Sequence, residues 1–129
     1  MTDLYDLLER IKHKPGLYIG HASVSNLFMF LCGYKYSRRD LGILVSEQEQ
    51  EFHEFQPWLQ KRFNVNTSAS WAQIILLFTG EESRAFITFF DLLEEFRTYG
   101  YRYEAYAEGL DASEQGVLEG NASPSATVS

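Results

Sequence analysis

The sequence predicts an all-α fold: one bundle of about five helices with a Pro-Gly turn after the first helix and an acidic C-terminal tail. Three observations lead there. Apolar residues recur at i, i+3, i+4 and i+7 in successive windows, the spacing of one helix face. Helix start and stop signals punctuate those windows, the clearest being Ser46-Glu47-Gln48-Glu49, a capping box in which serine and glutamate satisfy each other's backbone donors. The chain is 129 residues long, 45% hydrophobic and 16% aromatic, enough for one core built on bulky rings and too short for two domains of ordinary size.

In the first helix, Leu4, Leu7, Leu8 and Ile11 form the apolar stripe, with Thr2 as the expected N-cap and a stop near His13. Lys12 and Lys14 suit the negative end of its dipole. Pro15-Gly16 then fits the two central positions of a type II turn, Pro setting φ and Gly accepting a positive φ. Ser23 or Ser25 caps a second helix with Val24, Leu27, Phe28, Leu31 and Tyr34 on its apolar face, ending before Gly42. Cys32 lies beside that face and is expected to be a buried apolar filler.

A third helix follows the capping box and carries Phe52, Phe55, Leu59 and Phe63 on one stripe. Pro57 lacks an amide and clashes with the preceding turn, so a kink or break is expected there, with Trp58 packed at the bend. Ser70 opens a nearly all-apolar segment, Trp71 to Phe78, that Gly80 ends; its length favours a buried helix, while Ile74 to Phe78 also fits a central strand. The last helix runs from about Glu81 to Arg97. Ala85, Phe86, Phe89, Phe90, Leu93 and Phe96 fill its stripe, and Asp91, Glu94 and Glu95 face solvent beside Arg97. Beyond Thr98, Tyr99, Tyr101, Tyr103 and Tyr106 alternate with polar residues, as in a short extended segment.

The net charge of -7 is unevenly placed. Glu104, Glu108, Asp111, Glu114 and Glu119 meet no Lys or Arg after residue 103, which leaves 13 acids against 11 bases in residues 1–103. The division is therefore a nearly neutral helical domain, 1–103, and an acidic, low-complexity tail, 104–129, whose Gly, Ala, Ser and Pro content predicts disorder.

Several function classes are disfavoured. One cysteine forms no internal disulfide, no signal-peptide pattern opens the chain, and no run approaches a membrane span, so a cytoplasmic protein is expected. His13, His21 and His53 share no metal-ligand spacing, and the Glu49/His53 pair falls short of a metal site. Arg38-Arg39-Asp40 lacks the surrounding basic stripe that nucleic-acid binding requires. No acid-base pair or activated nucleophile is visible, so no enzymatic activity and no cofactor are expected.

Two candidate sites remain. Glu47, Glu49, Glu51 and Glu54 form an acidic helix start suited to a basic protein partner, such as a toxin or enzyme, which complementary charge would steer into contact. The alternative is a small phosphate- or nucleotide-responsive regulator in which Lys14, Gly16, Gly20, His21, Ser23 and Ser25 offer backbone amides and hydroxyls to an anion. Homo-oligomerisation stays open.

Two resemblances bear on this. Leu8-Glu9-Arg10-Ile11 through Lys14-Pro15-Gly16-Leu17-Tyr18-Ile19-Gly20 resembles the N-terminal arm of type II topoisomerase ATPase subunits. The match covers about a dozen residues; the magnesium-binding acidic-Asn helix and the glycine-rich phosphate loops of that family have no counterpart, so it implies a helical entry segment and not an ATPase. From Leu4 to Phe96 the layout, with Gly33-Tyr34, Phe52 to Phe63, Trp71 and Phe89-Phe90 in order, resembles short bacterial helical proteins of unassigned function. These are similar in layout to immunity proteins of bacterial toxin systems, which implies a non-catalytic, cytoplasmic, protein-binding inhibitor.

Overall fold

The structure, a computed structural model, describes residues 2–100. It is all-α: the helices are α1 (Leu4–His13), α2 (Pro15–Ile19), α3 (Val24–Asp40), α4 (Glu47–His53), α5 (Phe55–Phe63), α6 (Trp71–Thr79) and α7 (Glu82–Glu95), and a π-helical turn, Phe96–Gly100, continues from α7. The tail expected at 104–129, and the tyrosine alternation beyond residue 100, lie outside the described residues.

Helix α1 starts one residue later than expected. Asp3, not Thr2, is the N-cap, its carboxylate accepting from the Leu4 amide. Leu4, Leu8 and Ile11 are buried, as the stripe requires. The Pro15-Gly16 turn is not a type II turn. Lys14 breaks the chain, Pro15 takes the first position of α2, where its missing amide costs nothing, and Gly16 is an ordinary helical residue. The positive φ falls at Gly20, at +91°, where α2 stops and Asn26 Nδ2 donates to the Ile19 carbonyl at 2.9 Å. A five-residue helix replaces a two-residue reversal because Pro pre-sets a φ common to turns and helix starts.

Helix α3 is capped by Ser23, whose hydroxyl accepts from the Asn26 amide at 3.1 Å, and it buries Val24, Leu27 and Leu31. Cys32 is exposed, contrary to expectation, because α3 docks through the opposite stripe. The predicted third helix is two. The capping box at Ser46 and Glu49 forms as expected, but the break lies at Glu54 rather than at Pro57. Pro57 is instead the third residue of α5, where an amide would have no intrahelical acceptor, and the interruption spares its ring the clash with the His53 carbonyl. Segment 71–79 is a helix throughout, opened by a second capping box between Ser70 and Gln73 and closed by Gly80 at φ +82°. That settles the helix-or-strand alternative.

Helix α7 packs on both α3 and α6, α4 packs on α1 and α5, and the π-turn packs on α5. At the centre Phe55 is fully buried, its ring 5.4–5.8 Å between centroids from Phe52, Trp58, Trp71, Phe89 and Phe96. All five are stacked or edge-to-face pairs, with α4, α6, α7 and the π-turn and within α5, so one ring ties five elements together, each pair adding about 0.5–1.5 kcal/mol beyond area burial. Glu95 does not sit with Arg97: it pairs with Arg62 of α5 at 2.7 Å, while the Arg97 guanidinium lies 3.8 Å from the centroid of the Tyr5 ring.

Candidate functional site

The segment that suggested anion binding does hold an anion, and it is the protein's own. Glu82, in the first turn of α7, accepts from the Ser25 amide at 3.0 Å, the Ser25 hydroxyl at 2.7 Å and the Ser23 hydroxyl at 3.0 Å. The Ser25 amide bond, followed by the Ser25 hydroxyl, keeps the Glu82 carboxyl below its ordinary pKa. Its carboxylate therefore occupies the N-terminus of α3 where a phosphate was expected, and an external anion would have to displace it. Of the six residues Lys14, Gly16, Gly20, His21, Ser23 and Ser25, the two serines hold this carboxylate and His21 is near enough to act on its charge, while Lys14 is exposed, Gly16 lies within α2 and Gly20 ends it.

The four glutamates around α4 divide into two internal and two external groups. Glu49 closes the capping box by accepting from the Ser46 amide at 2.9 Å, and also binds Arg38 through two contacts of 3.2 Å each, Nε to Oε2 and Nη2 to Oε1. That pairing raises the Arg38 pKa. The Arg38 guanidinium lies 5.2 Å from the centre of the Tyr34 ring. Glu51 accepts from the Tyr5 hydroxyl at 2.7 Å; burial first, and then this bond to a carboxylate, hold the phenol well above its ordinary pKa. Glu47 and Glu54 are exposed, and neither side chain has a hydrogen bond or ion pair among the described residues. They mark the two ends of α4, Glu47 its first residue and Glu54 its C-cap, about 10 Å apart along the axis.

Between α3 and α4 the structure shows a surface that periodicity could not score. Leu41, Ile43, Leu44 and Val45 are 75%, 44%, 87% and 59% exposed, a run of four large apolar side chains held in solvent. Both ends of this loop are fastened. At its start a Schellman motif forms: Gly42, at φ +75°, donates to the Arg39 carbonyl at 3.0 Å and Ile43 to the Arg38 carbonyl at 2.9 Å. At its end Ser46 donates to Asp3 Oδ1 at 2.9 Å, anchoring the α4 cap to α1. The Arg38–Glu49 pair then bridges one side of the loop to the other. Its signal in the sequence was the unbroken Leu41-Gly42-Ile43-Leu44-Val45 run between a helix stop and a capping box, which helical spacing treats as a connection and nothing more.

Asp91, Glu94, Glu95, Thr98 and Tyr99 line an open acidic cleft, but Glu95 is committed to Arg62, and no group of three or more His, Cys, Asp or Glu among the described residues could hold a metal. No described helix is long and apolar enough to cross a membrane. No protein-family model, curated protein or solved structure matches the chain.

Proposed function

We propose that this protein is a non-catalytic protein-binding module that docks through the Leu41–Val45 loop, with Glu47 and Glu54 on the adjoining helix steering a basic partner. The observation that carries the reading is the fastened, outward-facing apolar loop. Exposing four large apolar side chains forgoes burial worth about 1.5–3 kcal/mol each, and such a run pays back only when another surface covers it. Because its ends are tied by the Schellman motif, the capping box and the Arg38–Glu49 pair, little loop entropy remains to be lost on binding.

The partner that fits has an apolar pocket with Lys or Arg at its rim. Leu44, the most exposed of the four, is the anchor, and Glu47 and Glu54 act at the rim, where charge governs encounter more than hold. Inhibition of a basic toxin or enzyme, in the manner of an immunity protein, is the specific form of this reading, and a cytoplasmic site of action goes with it. It draws on the helical layout and the acidic face together.

The test is affinity capture from the native host with the wild-type chain, the Leu44→Asp variant and a Leu77→Asp control, Leu77 being exposed on a different helix. A partner should be retained by wild type and Leu77→Asp and lost with Leu44→Asp. Stopped-flow binding of that partner should then show a lower on-rate and a flatter salt dependence for Glu47→Lys/Glu54→Lys. Equal capture by Leu44→Asp and wild type would sink the proposal.

A further inference from the structure

Helix α3 carries apolar residues on two faces, and the bundle uses one. Val24, Leu27 and Leu31 are buried in the contacts of α3 with α6 and α7. Away from those helices Met29, Cys32, Tyr36 and Arg39 follow one another at steps of three, four and three residues, the spacing of a coiled-coil seam, and Ser25, half-buried at its bond to Glu82 of α7, precedes Met29 by four. Met29 and Tyr36 are 65% and 70% exposed, and Cys32 and Arg39 are exposed as well. From Ser25 to Tyr36 this stripe has no charged side chain, so it is not the solvated face an outer helix ordinarily shows.

We infer that this stripe is covered by the same stripe of a second copy of the chain, in an antiparallel pair of α3 helices about a two-fold axis between Cys32 and Gly33. Charge decides both the occupant and the direction. The antiparallel register sets Met29 of one copy against Tyr36 of the other, twice, a thioether against an aromatic ring. It also brings Arg39 of each copy to Ser25 of the other, where the Glu82 carboxylate is held by the Ser25 amide and hydroxyl. The cation at one end of the stripe thus meets an anion at the other end, and the two-fold repeats the pairing. A parallel pair would set Arg39 against Arg39 and leave both Glu82 carboxylates without a cation. Gly33, next to the axis, meets no heavy atom within 4 Å of where a Cβ would stand, so the backbones can approach closely there. An interface one helix wide is at the small end of specific contacts, so the dimer dissociates on dilution. It is separate from the Leu41–Val45 loop and does not depend on the docking proposed for it.

The experiment uses the full chain. Sedimentation equilibrium over a dilution series should show twice the chain mass at high concentration, falling to the monomer, and a short bis-maleimide should link the chains through Cys32. Tyr36→Glu should remove both signals while circular dichroism remains that of the wild type. Arg39→Glu should weaken the dimer and reverse the effect of added salt. Leu44→Asp should leave dimer and cross-link unchanged. A monomer at every concentration would overturn the inference, and so would a dimer that survives Tyr36→Glu, forms without Cys32 cross-linking, or disappears with Leu44→Asp.

Discussion

Replacing Gly16 and Gly20 separately by alanine distinguishes the two possible conformations of the Pro15–Gly20 segment. Gly16 lies in α2 with a helical φ, and a Cβ built on it meets nothing within 4 Å. Gly16→Ala therefore removes only the excess freedom of glycine in the unfolded chain and should stabilise by about 0.5 kcal/mol. Gly20 has φ +91° and ψ -46°, a region L-residues avoid, although the nearest atom to its Cβ, Asn26 Nδ2, is an unstrained 3.9 Å away. Gly20→Ala should thus cost about 1–2 kcal/mol, all of it backbone strain. The gap of about 2 kcal/mol corresponds to roughly 10 °C in midpoint for a domain of this size. Thermal unfolding followed by circular dichroism at 222 nm, with urea midpoints as a check, reads the difference. If Gly16→Ala is destabilised as much as Gly20→Ala, then Gly16 has the positive φ of a type II turn and the α2 assignment is wrong.

Further expectations rest on packing and charge. Phe55→Ala removes the ring at the centre of the aromatic cluster and should cost about 3–5 kcal/mol, a large share of a small domain's stability, visible as a collapsed urea midpoint. Gly100→Ala places a Cβ 2.5 Å from Trp58 Nε1, and the indole is stacked on Phe55 and set against Phe96, so about 1–3 kcal/mol should be lost with a shift in tryptophan emission; unchanged emission and midpoint would refute the close approach. Glu82 has a depressed folded-state pKa, so its stabilisation is complete above the ordinary glutamate value of 4.5 and is lost as pH falls through the lower folded value; Glu82→Gln should flatten the acid limb of the midpoint-against-pH curve, and a parallel curve would remove the Ser25 pairing. Glu49→Ala should loosen the Leu41–Val45 loop, raising the off-rate of any partner that docks there more than it changes the on-rate.

The sequence by itself determined the helices and most of their ends. Ser23, Ser46 and Ser70 each satisfy an amide three residues on, and Gly80 supplies a left-handed stop, so the atoms that matter lie within one turn and are visible in the order of residues. The Ser70–Gln73 box that opens 71–79 is local in the same way. Pro15 and Pro57 were legible as interruptions but not in their detail, because a proline in the first turn of a helix and one in a reversal share the same φ.

Tertiary structure decided everything that joins distant residues. Glu82 reaches Ser25 across 57 positions, and it converts an expected anion site into an internal clamp. Arg38 and Tyr5 withdraw Glu49 and Glu51 from an acidic row that looked uniform, leaving Glu47 and Glu54 for solvent. Cys32 is exposed because α3, apolar on both sides, could have docked through either, and only the surfaces of α6 and α7 select the stripe of Val24, Leu27 and Leu31. Periodicity reports which residues share a face; which face is covered depends on what packs against it, and that information resides in contacts between elements rather than in the order of residues within one.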